Sequence, residues 1–287
     1  MVVRKGKLSK GVFLLIGVFI LGLSASGLRA QEDQGEAKDQ QKWKRRPAFS
    51  LRFGTYFPSL ETILRVDSEI LGRGTEINLE DVFQLDKSPV VIRADAEVRM
   101  ASWFSLDLGY YGIGRSKTSV IDRDIQVGDT IFTVDQTLKT KFDTSYLRAH
   151  LKFSFIHNPR LDLGVWVGAN VAFYKLKMDA VEQGQTLLEE TDVWAPIPAA
   201  GVHLSYTLLP NLYLFGKAGY FYYGISEHLK FTSTSFDINL NYYFFKFLGV
   251  GATYEYNSFK LDGEVGGFSG KVRNRLDGFQ VYALLGF

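Results

Sequence analysis

The residues able to do chemistry recur at every second position. Arg93, Asp95, Glu97 and Arg99 alternate with Ile92, Ala94, Ala96, Val98 and Met100, and Arg148, His150, Lys152 and Ser154 alternate with Leu147, Ala149, Leu151, Phe153 and Phe155. A period of two puts acids and bases on one face of an extended segment and oily side chains on the other. Carrying the alternation through the remaining segments adds Arg52, Asp107, Asp162, Lys217, Asp237 and Glu255 to the charged face. The two signs nearly balance. Charge is tolerated away from water only when it is paired and hydrogen-bonded, so these residues predict a charge network that stabilises an interior.

Catalysis finds less support in the sequence. Of the four histidines, His150 and His203 share the charged face, His157 falls in a short turn, and His228 follows Ser226 and Glu227 at a loop rim. General acid–base work needs a partner within hydrogen-bond reach, and neighbouring strand residues point apart. There is no cysteine, no HExxH, and no glycine-rich loop followed by Lys-Ser/Thr. Gly112-Ile-Gly114 reads as strand glycine that relieves crowding. The expectation is therefore a protein that is not an enzyme, with no catalytic residues, cofactor, metal or nucleic-acid partner.

Such a charged face must be positioned by strands. Ten segments alternate, near 48–57, 88–100, 103–115, 141–156, 160–175, 197–207, 211–225, 233–245, 247–259 and 275–287. Connections between them are long, then short, in turn. The long ones cover 58–87, 116–140, 176–196, 226–232 and 260–274. Repeated dyads of about ten residues, with loops sorted by length, predict an all-β fold: one closed antiparallel transmembrane β-barrel with short periplasmic turns and long extracellular loops. With so many charges from opposing walls in a barrel of about ten strands, the lumen should be mostly plugged.

Residues 1–30 read as a signal peptide, with Arg4, Lys5, Lys7 and Lys10 ahead of the apolar run Gly11–Leu23. That run is shorter than the ~20 residues a spanning helix needs. Residues 31–47 read as a disordered periplasmic arm, and 48–287 as the barrel. Aromatic girdles are predicted from Phe49, Trp103, Phe104, Tyr213 and Phe247 on the periplasmic side and Tyr56, Tyr110, Phe173 and Tyr222 on the other. Pro196 and Pro198 each remove a ladder donor at the entry to the sixth strand, so a lateral opening is expected there, unless the strand starts after Pro198.

The chain closes on alternating apolar residues and Phe287, which resembles the assembly signal of bacterial outer-membrane proteins. In plan the barrel is similar to small outer-membrane proteins of the OmpA, OmpX and OmpW kind, and Arg123–Phe132 with Lys141–Asp143 resembles proteobacterial barrel proteins of unassigned function. The resemblance implies the outer membrane of a Gram-negative bacterium. It also implies outer-membrane lipid and lipopolysaccharide as surroundings, and the barrel-assembly machinery as a partner during insertion; it names no soluble partner. Omptin proteases set acidic pairs and a histidine at the outer rim, and barrel deacylases a histidine and serine on the exterior. Neither set is reproduced here. The leading expectation is a structural or loop-mediated interaction role, followed by a narrow channel for small or hydrophobic solutes, then a lipid-modifying enzyme. Acidic loops, with Glu61, Asp67, Glu69, Glu76, Glu80, Asp81 and Asp86 in the first and Asp179, Glu182, Glu189, Glu190 and Asp192 in the third, read as solvated surface that could gather divalent cations.

Overall fold

A computed structural model describes residues 47–287 apart from 128, 183–184, 227–228 and 266–267. The expected signal peptide, the arm before Pro47, and His228 lie outside the described residues. The strands are β1 (Phe49–Val66), β2 (Ile77–Asn78), β3 (Val91–Ala101), β4 (Phe104–Val120), β5 (Ile125–Val127), β6 (Thr130–Phe132), β7 (Thr137–His157), β8 (Leu161–Glu182), β9 (Gln185–Leu209), β10 (Leu212–Ser226), β11 (Leu229–Tyr243), β12 (Leu248–Val265) and β13 (Phe268–Gly286). One eleven-stranded sheet holds all but the β5–β6 hairpin; setting aside the two-residue β2 leaves ten long strands. They pair antiparallel in order, and β13 closes on β1 from Ser50↔Gly286 to Val66↔Gly270. Phe287 completes the closure through backbone bonds with Phe49 of 3.0 and 2.9 Å.

Alternation decides which side chains face in. In β3, Ile92 is 59 % exposed and Arg93 is 3 %. Phe236, Ile238, Leu240 and Tyr242 of β11 face out, while Asn239, Asn241 and Tyr243 face in. The exterior is thus covered with Phe53, Val165, Val167, Val202, Val250, Phe279 and Val281. In water it would form one continuous apolar patch, far beyond what soluble monomers expose; against lipid it is satisfied. No helix among the described residues is long and apolar enough to cross a membrane.

Two expectations need correction. The stretches 176–196 and 260–274 are mostly strand, because the β8–β9 and β12–β13 ladders run on to Glu182↔Gln185 and Val265↔Phe268. Cross-strand bonding continues past the apolar band, so the outer hairpins are ribbons where loops were expected. Tyr56 and Tyr213 belong to no girdle, since at 0 % and 3 % exposure they point inward. Tyr56 shares the parity of Arg52, which decides its side. The exposed Trp103, Tyr110, Phe173, Tyr222 and Phe247 remain at the lipid face.

Candidate functional site: the lumen

Eight of the charged residues form one connected set. Arg93 holds Asp95 with both arms of its fork, Nε to Oδ2 at 3.0 Å and Nη2 to Oδ1 at 3.2 Å, and its Nη1 donates to Glu255. Arg148 Nη2 donates to the same Asp95 Oδ1 at 2.5 Å, and Arg148 lies 3.6 Å from Asp107. Lys217 Nζ donates to Asp107 at 2.6 Å and stands 3.7 Å from Asp237. Arg52 reaches Asp107 at 3.5 Å and donates to Asn239 at 3.0 Å. Four cations face four carboxylates, contributed by β1, β3, β4, β7, β10, β11 and β12. Charge-assisted, two-armed bonds of this kind fix geometry as well as charge.

The other charged residues stand apart. Glu97 pairs with Lys152 at 2.7 Å and lies 3.9 Å from Arg99. Asp162 accepts from Ser154 at 2.6 Å, with His203 Nδ1 at 3.8 Å. Both Ser154 and His203 address the carboxylate rather than each other, so this is not a nucleophile–base–acid relay. Among the described residues His150 forms no ion pair; its ring stacks on Trp166, centroids 4.3 Å apart at 25°.

Above and below the ion pairs lie two cavities of about 60 Å³ each, both touching Arg93, Arg148, Lys217, Asp237 and Glu255. At ~10–15 Å³ per water, each has room for a handful of waters. Toward the periplasm, Tyr213, Tyr243, Tyr282 and Leu284 pack together. Toward the outside, Tyr56 and Tyr111 meet edge to face with ring centres 5.7 Å apart, and Arg93 lies beside both, its guanidinium carbon 5.4 and 5.3 Å from their ring centres.

The outer half of the lumen is apolar, which the sequence did not announce. Phe142, Tyr174, Leu176, Met178, Ile197, Phe231, Phe259 and Leu261 point in from the wall, and Ile77, Leu79, Phe83, Leu85, Ile125 and Phe132 come down from the first two outer loops to meet them. Asn78 caps the helical turn Leu79–Val82, accepting from Glu80 N at 3.0 Å and Asp81 N at 3.1 Å. The two loops interlock where Thr75 N donates to Gln126 O at 3.1 Å. Glu80, expected in solvated loop surface, is 3 % exposed. It accepts from Arg115 Nη1 and, at 2.7 Å, from Thr62 N. Arg115 could have been found by carrying the inward parity of Asp107 four more steps along β4.

Pro196 and Pro198 lie within β9, opposite Val171 and Ala169 of an unbroken β8–β9 ladder. Lacking N–H groups, they belong at the positions whose bonding edge faces β10. On that side, pairing of described residues ends at Gly201↔Gly219, although β10 pairs with β11 as far as Ser226↔Leu229. Trp166 stands at the fork. A Cβ on Gly219 would come within 2.5 Å of its ring, and Trp166 Nε1 donates to Val202 O at 3.1 Å.

A closed ten-stranded antiparallel barrel with a lipid-facing apolar exterior and charged side chains directed inward is an outer-membrane β-barrel protein, and its place is the outer membrane of a Gram-negative bacterium. Among solved structures it is similar to the Escherichia coli outer-membrane protease OmpT, at TM-score 0.53 and 13 % identity over 83 % of this chain and 96 % of that one. It is also similar to the outer-membrane protein OprG from Pseudomonas aeruginosa, at TM-score 0.38 and 11 % identity over 86 % of this chain and 98 % of that one. A third is Ail, the attachment invasion locus protein of Yersinia pestis, at TM-score 0.32 and 11 % identity over 84 % of this chain and 99 % of that one. No protein-family model and no curated protein matches the chain. The likeness gives the outer-membrane barrel class, not the OmpA, OmpX or OmpW family in particular. It also corrects the expectation that the chain is not an enzyme: OmpT, a protease, has this fold.

Proposed function

We propose that the chain is a sealed outer-membrane barrel, closed by ion pairs below and an apolar plug above, which acts through its outer surfaces rather than as a diffusion pore. The observation that carries this reading is Asp95, held at once by Arg93 and Arg148, the two guanidiniums that separate the cavities. Single-channel recording from the barrel in a planar bilayer tests it. The native protein should be silent, and an Arg93→Ala, Arg148→Ala double variant should pass current. Reproducible native openings would sink the sealed-lumen reading.

A second reading, restricted passage of apolar solutes from the membrane into the cavity that Trp166 lines, is favoured by the unpaired β9–β10 seam. The chain has no native cysteine, so an Ala200→Cys, Tyr220→Cys pair would bridge the rung above Gly201↔Gly219 without competitors. With Trp166 the one remaining tryptophan, a bromoalkane dissolved in the bilayer should quench its fluorescence, and the bridge should abolish the quenching. Equal quenching with the bridge closed and reduced would remove this route.

A further inference from the structure

The exterior of β12 and β13 carries an arrangement that internal contacts leave unexplained. Lys260 and Arg273 are direct cross-strand partners, and like charges directly opposite each other on one face destabilise a ladder. Neither has an ion-pair or hydrogen-bond partner among the described residues, and Arg273 Nε is buried without one. Arg275, Lys271 and Asp262 nearby are each occupied. Arg275 Nε meets Asp277 at 3.3 Å. Lys271 donates to Glu76 at 3.0 and 2.8 Å, which holds that carboxyl below the usual carboxylate range. Asp262, opposite Lys271, is 3.4 Å from Arg65.

The height of the pair is informative. From Leu285, at the periplasmic end of β13, to Arg273 is roughly 40 Å along the strand at ~3.3 Å per residue. With strands tilted by ~35–45°, that is about 30 Å above Leu285, against an apolar band ~25 Å tall. Below the pair on the same face, Phe279 and Val281 are lipid-exposed. Lys260 and Arg273 thus stand just above the acyl chains on the side of the outer ribbons.

We infer that Lys260 and Arg273 form a clamp for a phosphate group of the outer-leaflet glycolipid, lipopolysaccharide. A planar guanidinium can grip two phosphate oxygens while an ammonium neutralises the third, and the phosphate relieves the repulsion between the two cations. This contact is direct, and differs from the cation bridge through acidic loops that the sequence suggested.

Native mass spectrometry of the refolded barrel, titrated with bis-phosphorylated lipid A, tests the clamp. Parallel titrations use dephosphorylated lipid A, phosphatidylglycerol and inorganic phosphate. The wild type should retain bis-phosphorylated lipid A at least tenfold better than the other three, and a Lys260→Gln, Arg273→Gln variant should lose that preference. Removing two repelling charges should leave the fold intact, which unchanged heat-modifiable migration on a gel checks, and Lys260→Arg should retain binding. Equal retention of lipid A by the double variant would overturn the clamp. Equal binding of dephosphorylated lipid A, phosphatidylglycerol or free phosphate by the native barrel would overturn the assignment to lipopolysaccharide. Should the double variant fail to migrate as a folded barrel, displacement of lipid A from native protein by rising salt decides the matter, since loss of retention is required of a phosphate contact.

Discussion

Replacing Asp95 with alanine should destabilise the barrel by about 3–5 kcal/mol, the range expected when one partner of a buried ion pair is removed. Asp95 is 2 % exposed and is shared by two guanidiniums. The substitution leaves Arg93 with Glu255 alone and Arg148 with the longer contacts to Asp107 at 3.6 Å and Glu255 at 3.9 Å. Urea unfolding of the refolded barrel measures the loss. A change below ~1 kcal/mol, the level of an exposed surface pair, would mean that lumen water already carries these charges and that the network does not seal the barrel.

A second large effect should follow from Glu80→Ala, and it should be local. Arg115 would be stranded among Phe142 and its neighbours without a counter-charge, its guanidinium carbon 5.3 Å from the Phe142 ring. Undocking the first loop should become easier by about 3 kcal/mol, which lowers hydrogen-exchange protection over residues 67–90 on the order of a hundredfold at 1.4 kcal/mol per decade. Trypsin provides a simpler readout, because Arg73 and Lys87 lie in that loop. Cleavage there should appear in Glu80→Ala while the barrel stays whole, and Glu80→Ala, Arg115→Met should restore resistance by removing both charges. Resistance of the single variant would show that apolar packing alone holds the plug.

Strand number, the inward parity of the charged residues and the sorting of turns from outer connections were legible in the alternation, because each depends on residues close in sequence. Partner choice was not. Asp95, Asp107 and Glu255 share one parity, and nothing local says that Arg148 should prefer Asp95. The plug was hidden for a different reason: Ile77, Leu79, Phe83 and Leu85 are scattered among acids, so the segment reads as polar although its apolar side chains all point down. The two prolines hinted at the seam, but an absent rung is a property of two strands and no one strand records it. Tyr56 and Tyr213 were misplaced because proximity to a strand end was weighed above parity.

The join between β1 and β13 also governs how the protein comes into being. Those strands pair residues as far apart in sequence as Ser50 and Gly286, whereas every other long strand bonds to the next long strand along the chain. Hairpins can zip as soon as both arms exist, but this one seam waits for the whole barrel to curl round, and such distant contacts form slowly because the chain must be closed before they reward it. Until then both terminal strands present long unbonded edges, and the oily outer face has no lipid to meet. The interval between making the chain and closing the ring is therefore its period of greatest hazard, when self-association competes with insertion.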